Sequence, residues 1–158
     1  MNIFVLDTDP VRAAQLHCDK HVVKMVLESA QLLSTAVLTH MPDAIGLYRP
    51  THKGHPCTMW ASETRGNFDW LCELASGLVE EHALRYAPKR RHSSESVIDR
   101  CRELRSLIPA GGMTEHPQCM PDELRCHDAV NAYRAYYRSD KREFATWRAP
   151  RVTPGWMA

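Results

Sequence analysis

From Pro10 to Leu38 the chain runs without a helix breaker, and most of that stretch is apolar on nearly every side. At about 100° per residue, His17, Lys20, His21, Lys24, Glu28 and Gln31 share roughly a third of the helix circumference. Val22, Val23, Met25, Val26, Ala30, Leu32 and Leu33 take most of the rest. A surface helix has a broad polar face and a narrow apolar stripe; the reversed proportions predict a central helix with one narrow wet groove beside it. Such a helix needs neighbours on most sides. In a chain of 158 residues, 44% of them hydrophobic, this predicts a single domain, 1–158, closed around it.

Chain punctuation predicts the neighbours. Asp9 can cap the first helix, and Pro10 suits its first position, where no N–H is needed. Pro42 and Gly46 end the segment, and "GLYRPTHKGHPC" (46–57) reads as a loop. A second long helix is predicted from Thr58 to Tyr86, stopped by Pro88. The serines of "KRRHSS" are placed to cap a third, Glu95 to Leu107. Residues 109–122, with three prolines and two glycines, are irregular and long enough to suggest function. A last helical region, 128–148, is predicted to break at "SDKRE", where Asp140 and Glu143 have capping-box spacing. Only residues 2–6 could form a strand, and there is no internal repeat. The expected fold is all-α: one helical domain with a long central first helix and Pro/Gly-rich loops.

The formal charge of +1 means that attraction to a charged partner must come from local patches. The apolar run Ile3 to Leu6 is too short for a signal peptide or a membrane span and follows no basic segment, so a cytoplasmic protein without membrane association is expected. The six cysteines stand singly, without a CxxC pair, and read as reduced thiols. His52, His55 and Cys57 share one loop, and Cys18 with His21 could add donors, but no spacing matches a zinc signature. No metal or cofactor is expected. "KRRH" (89–92) reads as a solvated turn.

A groove lined by His, Lys and Glu is chemically competent. Carboxylate and ammonium one turn apart can set each other's protonation, and a partly desolvated carboxylate can act as a base or stabilise a developing cation. Glu28 and Lys24 are the leading pair. The same spacing also describes an ordinary i,i+4 ion pair on a thin solvent face, worth a few tenths of a kcal/mol. Near the other end, "AYRAYYRSDKREFATWRAPR" (132–151) interleaves arginines and lysines with aromatics, which suits a nucleic-acid edge. Aromatics at helical spacing equally suit a core with arginines at its rim. Arg49, His52 and Lys53 are candidates for phosphate or base contacts.

Read together, these stretches resemble the pyrimidine-dimer DNA glycosylase family, of the phage endonuclease V type. "CDKHVVKMVLESAQLL" (18–33) is similar to its first-helix pattern, in which the catalytic glutamate follows a His or Arg by seven positions. "HPCTMW" (55–60), continued by Asn67, Trp70 and Leu71, resembles its His-Pro and Trp element, and "AYRAYYRSDK" (132–141) its DNA-holding segment. These motifs span about two thirds of the chain. A set of phage proteins opening on "HCDKHVVKM" is closer still.

The resemblance implies a DNA-acting enzyme that excises damaged or modified pyrimidines from a duplex with an extruded nucleotide. Glu28 falls on the catalytic glutamate, with Lys24, His21, His17 and Lys20 tuning it. His55, Trp60, Asn67, Tyr133, Arg134, Tyr137, Arg138 and Lys141 lie in the matched motifs and fall on the substrate and DNA contacts, to which the loop itself adds Arg49 and His52. One departure concerns the nucleophile. In the family, removal of the initiator Met frees a threonine α-amine that forms an imine with the sugar. Here Asn2 disfavours that removal, and about five extra residues precede the aligned helix. Either Lys20 or Lys24 then supplies the amine, or Glu28 activates a water. A nucleotide-processing enzyme using the same groove, and a catalytically silent nucleic-acid-binding protein, are the alternatives.

Overall fold

The central helix begins nine residues later than its sequence requires. In the computed structural model, which describes residues 1–158, α1 spans Pro10–Leu16 and α2 spans Asp19–His40. Between them His17 (φ −60°, ψ 137°) and Cys18 (φ −68°, ψ 161°) are extended. No local residue demands this break. Its cause is tertiary: the buried Arg85 donates to the carbonyls of Gln15 (2.9 Å) and His17 (2.8 Å), and the Trp147 indole donates to that of Leu16 (3.0 Å). The amide of Asp19 in turn donates to Thr146 O at 2.8 Å. Distant side chains and one distant backbone carbonyl thus satisfy the orphan groups that continuing the helix would have satisfied.

The predicted second helix is also two. α3 (Pro56–Glu63) and α4 (Arg65–Tyr86) meet at Thr64, whose Oγ1 accepts from the amide of Asn67 and caps α4. The 109–122 loop holds the break open. Arg65 N donates to Pro109 O, Gly66 N to Gly111 O, and Thr64 Oγ1 to Gly112 O. A Cβ on Gly66 would lie 2.6 Å from the Gly112 backbone, so only glycine permits this approach. α4 ends at Ala87, left-handed at φ 42°, ahead of Pro88.

α5 is Glu95–Glu103, followed by a 3₁₀ turn at Arg105–Leu107. Ser94 does not cap it with its side chain; its hydroxyl is bonded to that of Tyr48 at 2.9 Å. α6 (Ala129–Tyr136) passes into a π-helical turn, Tyr137–Lys141, beyond which the chain is irregular up to a last 3₁₀ turn at Gly155–Met157. The capping box expected at Asp140 and Glu143 is absent, because Asp140 lies inside the π turn and accepts from Ser139 Oγ. Residues 2–6 form no strand: Ile3 to Leu6 are all buried, threaded through the core without the alternation of a sheet surface.

The chain is therefore all-α, as its periodicity predicts. α2 packs against α3, α4 and α5, and α1 lies so close to α4 that a Cβ on Gly77 would come within 2.8 Å of the Ala14 side chain. From Ala30 to Leu38 only Gln31 of α2 escapes burial. α2 is long and apolar enough to cross a membrane, yet 67% of its most apolar stretch is buried by its own fold, which marks it as a core helix.

Candidate active site

A groove of about 460 Å³ opens where the polar stripe of α2 meets residues from four other parts of the chain. α2 supplies Lys20, His21, Lys24 and Glu28; the N-terminal segment supplies Met1, Asn2 and Phe4. His55 and Cys119 close one side, and Tyr136, Lys141 and Phe144 the other. The volume is that of a small-molecule site.

Glu28 sits between two amines. Its Oε1 lies 3.0 Å from Lys24 Nζ, and its Oε2 lies 3.8 Å from the α-amino nitrogen of Met1. Oε2 is buried and has no hydrogen-bond partner. Lys24 is 61% exposed, whereas the Met1 side chain is only 4% exposed, so the α-amine is the more fixed of the pair. Two more cations flank them. Lys20 Nζ stands 4.9 Å above the Phe144 ring, and Lys141 Nζ stands 4.2 Å above Tyr136 while donating to its hydroxyl. The mouth is thus basic and aromatic.

His21 forms part of the wall. Its ring stacks on Phe4 at 4.3 Å, and its Nδ1 lies 2.5 Å from the hydroxyl of the buried Tyr137. Burial, aided by the neighbouring His17, Lys24 and Lys141 charges, pushes its pKa down to about 3. It is neutral in the physiological range and cannot serve there as a cationic acid. His55 is lowered too, by burial first and then by the Met1 ammonium. Cys119 is held down to about 7 chiefly by the Cys57 thiol, whose own pKa that contact raises.

Of the residues singled out by sequence, Glu28, Lys24, His21, Lys20, His55 and Lys141 meet in this groove. The others do not line it. His17 leaves the stripe because the helix breaks there; its fully buried ring is bonded to Ala13 O and stands 6.3 Å behind that of His21. Trp60 packs on His116 and Trp70, and Asn67 joins α3 to the 109–122 loop, donating to Trp60 O and Thr114 Oγ1 and accepting from Thr114 N. Tyr133 is buried against Asn2 and Pro117. Arg134 is tied to Leu6 O and Arg138 to Trp156 O. Arg49 and His52 are exposed on the loop before α3, outside the groove lining.

Periodicity missed Met1, Asn2, Phe4, Cys119, Tyr136 and Phe144; all but Tyr136, the last residue of α6, come from extended or irregular segments, and only Cys119, Tyr136 and Phe144 lay in stretches whose composition marked them. Comparison with family models, curated proteins and solved structures returns no match for this chain.

Proposed function

We propose that the groove is the active site of a DNA-acting enzyme of the N-glycosylase type, working on a damaged or modified pyrimidine nucleotide extruded from the helix. The observation that supports it is the Glu28 carboxylate set between two amines beneath a basic, aromatic mouth. An uncharged amine attacks C1′ of the sugar as the glycosidic bond breaks and its electron pair leaves with the base. Glu28 takes the proton that the amine sheds and stabilises positive charge developing on the sugar. An imine then forms as the nitrogen's electron pair closes onto C1′ and the C1′ to O4′ bond opens, O4′ taking back the proton held by Glu28 while the departed base takes one from water. The Met1 amine, anchored by its buried side chain 3.8 Å from Glu28 Oε2, is better placed for this than the exposed Lys24. The lysines take phosphate, and Tyr136 and Phe144 offer faces to an unstacked base. In a bacterial host cell such a substrate lies in the cytoplasm, which is the location this reading expects.

The test incubates wild-type and Glu28→Gln protein with ultraviolet-irradiated DNA and with 5-modified-pyrimidine DNA, then measures released base and borohydride-trapped adduct. The reading expects release and trapping by the wild type and a loss of at least ~10²-fold in the variant. Peptide mapping should place the adduct on Met1, and two residues added before Met1 should abolish trapping; an adduct on Lys24 would move the nucleophile, and no release from either DNA would sink the glycosylase. A second reading has one observation in its favour. With Arg134 and Arg138 engaged inside the protein, the duplex-holding edge is thin, which suits an enzyme acting on a free nucleotide in the same groove. Base release from nucleotides but not from DNA would establish it.

A further inference from the structure

We propose that His55, Cys57 and Cys119 bind one soft divalent cation, zinc by preference, in the wall of the groove. The site stands independently of whether the groove releases bases. One donor atom from each side chain lies within 4.8 Å of the other two, and the two sulfurs are 3.6 Å apart. A tetrahedral zinc with bonds of about 2.3 Å to sulfur sets its thiolates roughly 3.8 Å apart, so the cysteines already stand at the edge length of such a site.

The cysteine from the loop is held in place rather than merely nearby. Cys119 N donates to the buried Tyr133 hydroxyl at 3.2 Å, and its carbonyl accepts from Asn2 Nδ2 at 2.8 Å. Both backbone polar groups of a residue in an irregular segment are thus fixed by side chains more than ten positions away. Cys57 is fixed by the first turn of α3, and its thiol lies against the Cys119 sulfur at 3.6 Å and Asn2 Oδ1 at 3.7 Å. His55 Nδ1 caps α3, accepting weakly from Cys57 N at 3.2 Å, and this hold keeps the ring beside Cys57; a metal taking the Nδ1 lone pair replaces that one weak bond. Outer-shell anchoring of this kind is what orients metal ligands.

Charge suits the position. On binding, both thiols release their protons to solvent, and a dication with two thiolates and a neutral imidazole carries no net charge. Loading therefore adds nothing to the repulsion among the groove's ammonium groups. Cys119 and His55 both face the groove, so the fourth position opens into it and is filled by water, the arrangement of sites with three protein ligands.

The test strips the reduced protein with a chelator and titrates it with Co²⁺, following thiolate-to-cobalt charge transfer and tetrahedral d–d absorption, then displaces the cobalt with Zn²⁺. One equivalent should bind. Cys119→Ser and His55→Ala should each weaken binding by more than ~10-fold with the helical circular dichroism unchanged, while the exposed Cys126→Ser should have no effect. His55→Ala removes the α3 cap together with the ligand, whereas Cys119→Ser at a partly exposed position removes a ligand alone and carries the test. Absence of the charge-transfer band, its survival in Cys119→Ser, its loss in Cys126→Ser, or conversion of Cys57 and Cys119 to a disulfide that Zn²⁺ fails to prevent would each overturn the proposal.

Discussion

His17 and His21 are buried and His116 is half-buried, and all three are held uncharged chiefly by loss of water, with neighbouring cations adding to it at His17 and His21. Burial takes His17 and His116 down to about 4 and His21 to about 3. An unfolded chain binds these protons near pH 6.5, so between that value and the folded pKa the unfolded state holds more protons and stability falls as pH falls. The contribution is complete above pH 6.5 and is lost progressively towards pH 4. For His116 the shift corresponds to roughly 3 kcal/mol at full expression. Its Nε2 has no partner, and its ring packs on Trp60 and Trp70 at 4.7 and 4.5 Å. His116→Phe should therefore hold neutral-pH stability within about 1 kcal/mol and flatten the acid limb of a denaturant-midpoint profile. A variant with an unchanged slope between pH 6 and 4 would mean that His116 does not titrate on unfolding. None of this was legible in the sequence, where His116 is one polar residue in a Pro/Gly-rich loop.

The break between α1 and α2 is an element-scale consequence of one buried arginine. Arg85 reaches from α4 to the carbonyls of Gln15 and His17 and to the Asp19 carboxylate, and pairs with Glu81 at 2.8 Å. Burial pushes Glu81 upward, but hydrogen bonds from Arg151 and Arg85 outweigh it and hold the carboxyl below its usual range. Arg85→Met leaves two carbonyls without donors and Glu81 with the single cation Arg151. It should cost about 3–5 kcal/mol in urea denaturation, and the Arg85→Met/Glu81→Leu double variant should recover part of that loss. Full additivity would show that the two side chains act separately. Helix existence was legible because the apolar periodicity of residues 19–38 and 65–86 is strong. The breaks at 17–18 and 64 were not, because the groups that stabilise them, Arg85, Trp147 and the 109–112 backbone, come from chain positions that no local window contains.

At the scale of the whole molecule, half of the candidate site was legible and half was not, along the same line. The four groove residues on α2 share one helix face and follow from a period of 3.6; Met1, Phe4, Cys119, Tyr136 and Phe144 reach it only through the tertiary fold. The basic C-terminal segment was read as a strand-holding edge, yet folding engages Arg134 and Arg138 with internal carbonyls and leaves Lys141 in the groove. With a formal charge of +1, the protein has little long-range field to replace them. Any DNA contact should therefore rest on Lys20, Lys24 and Lys141 and neutralise two or three phosphates. Each neutralised phosphate steepens the fall of log K with log salt by about 0.9, which predicts a slope near −2 to −3 for duplex binding measured by fluorescence anisotropy. Lys20→Ala with Lys141→Ala should flatten it by roughly 2, and Arg134→Ala should leave it unchanged. A slope of −5 or steeper, or one that Arg134→Ala reduces, would mean that the arginines leave their internal carbonyls to take phosphate, and that the protein closes on DNA by rearranging its C-terminal segment.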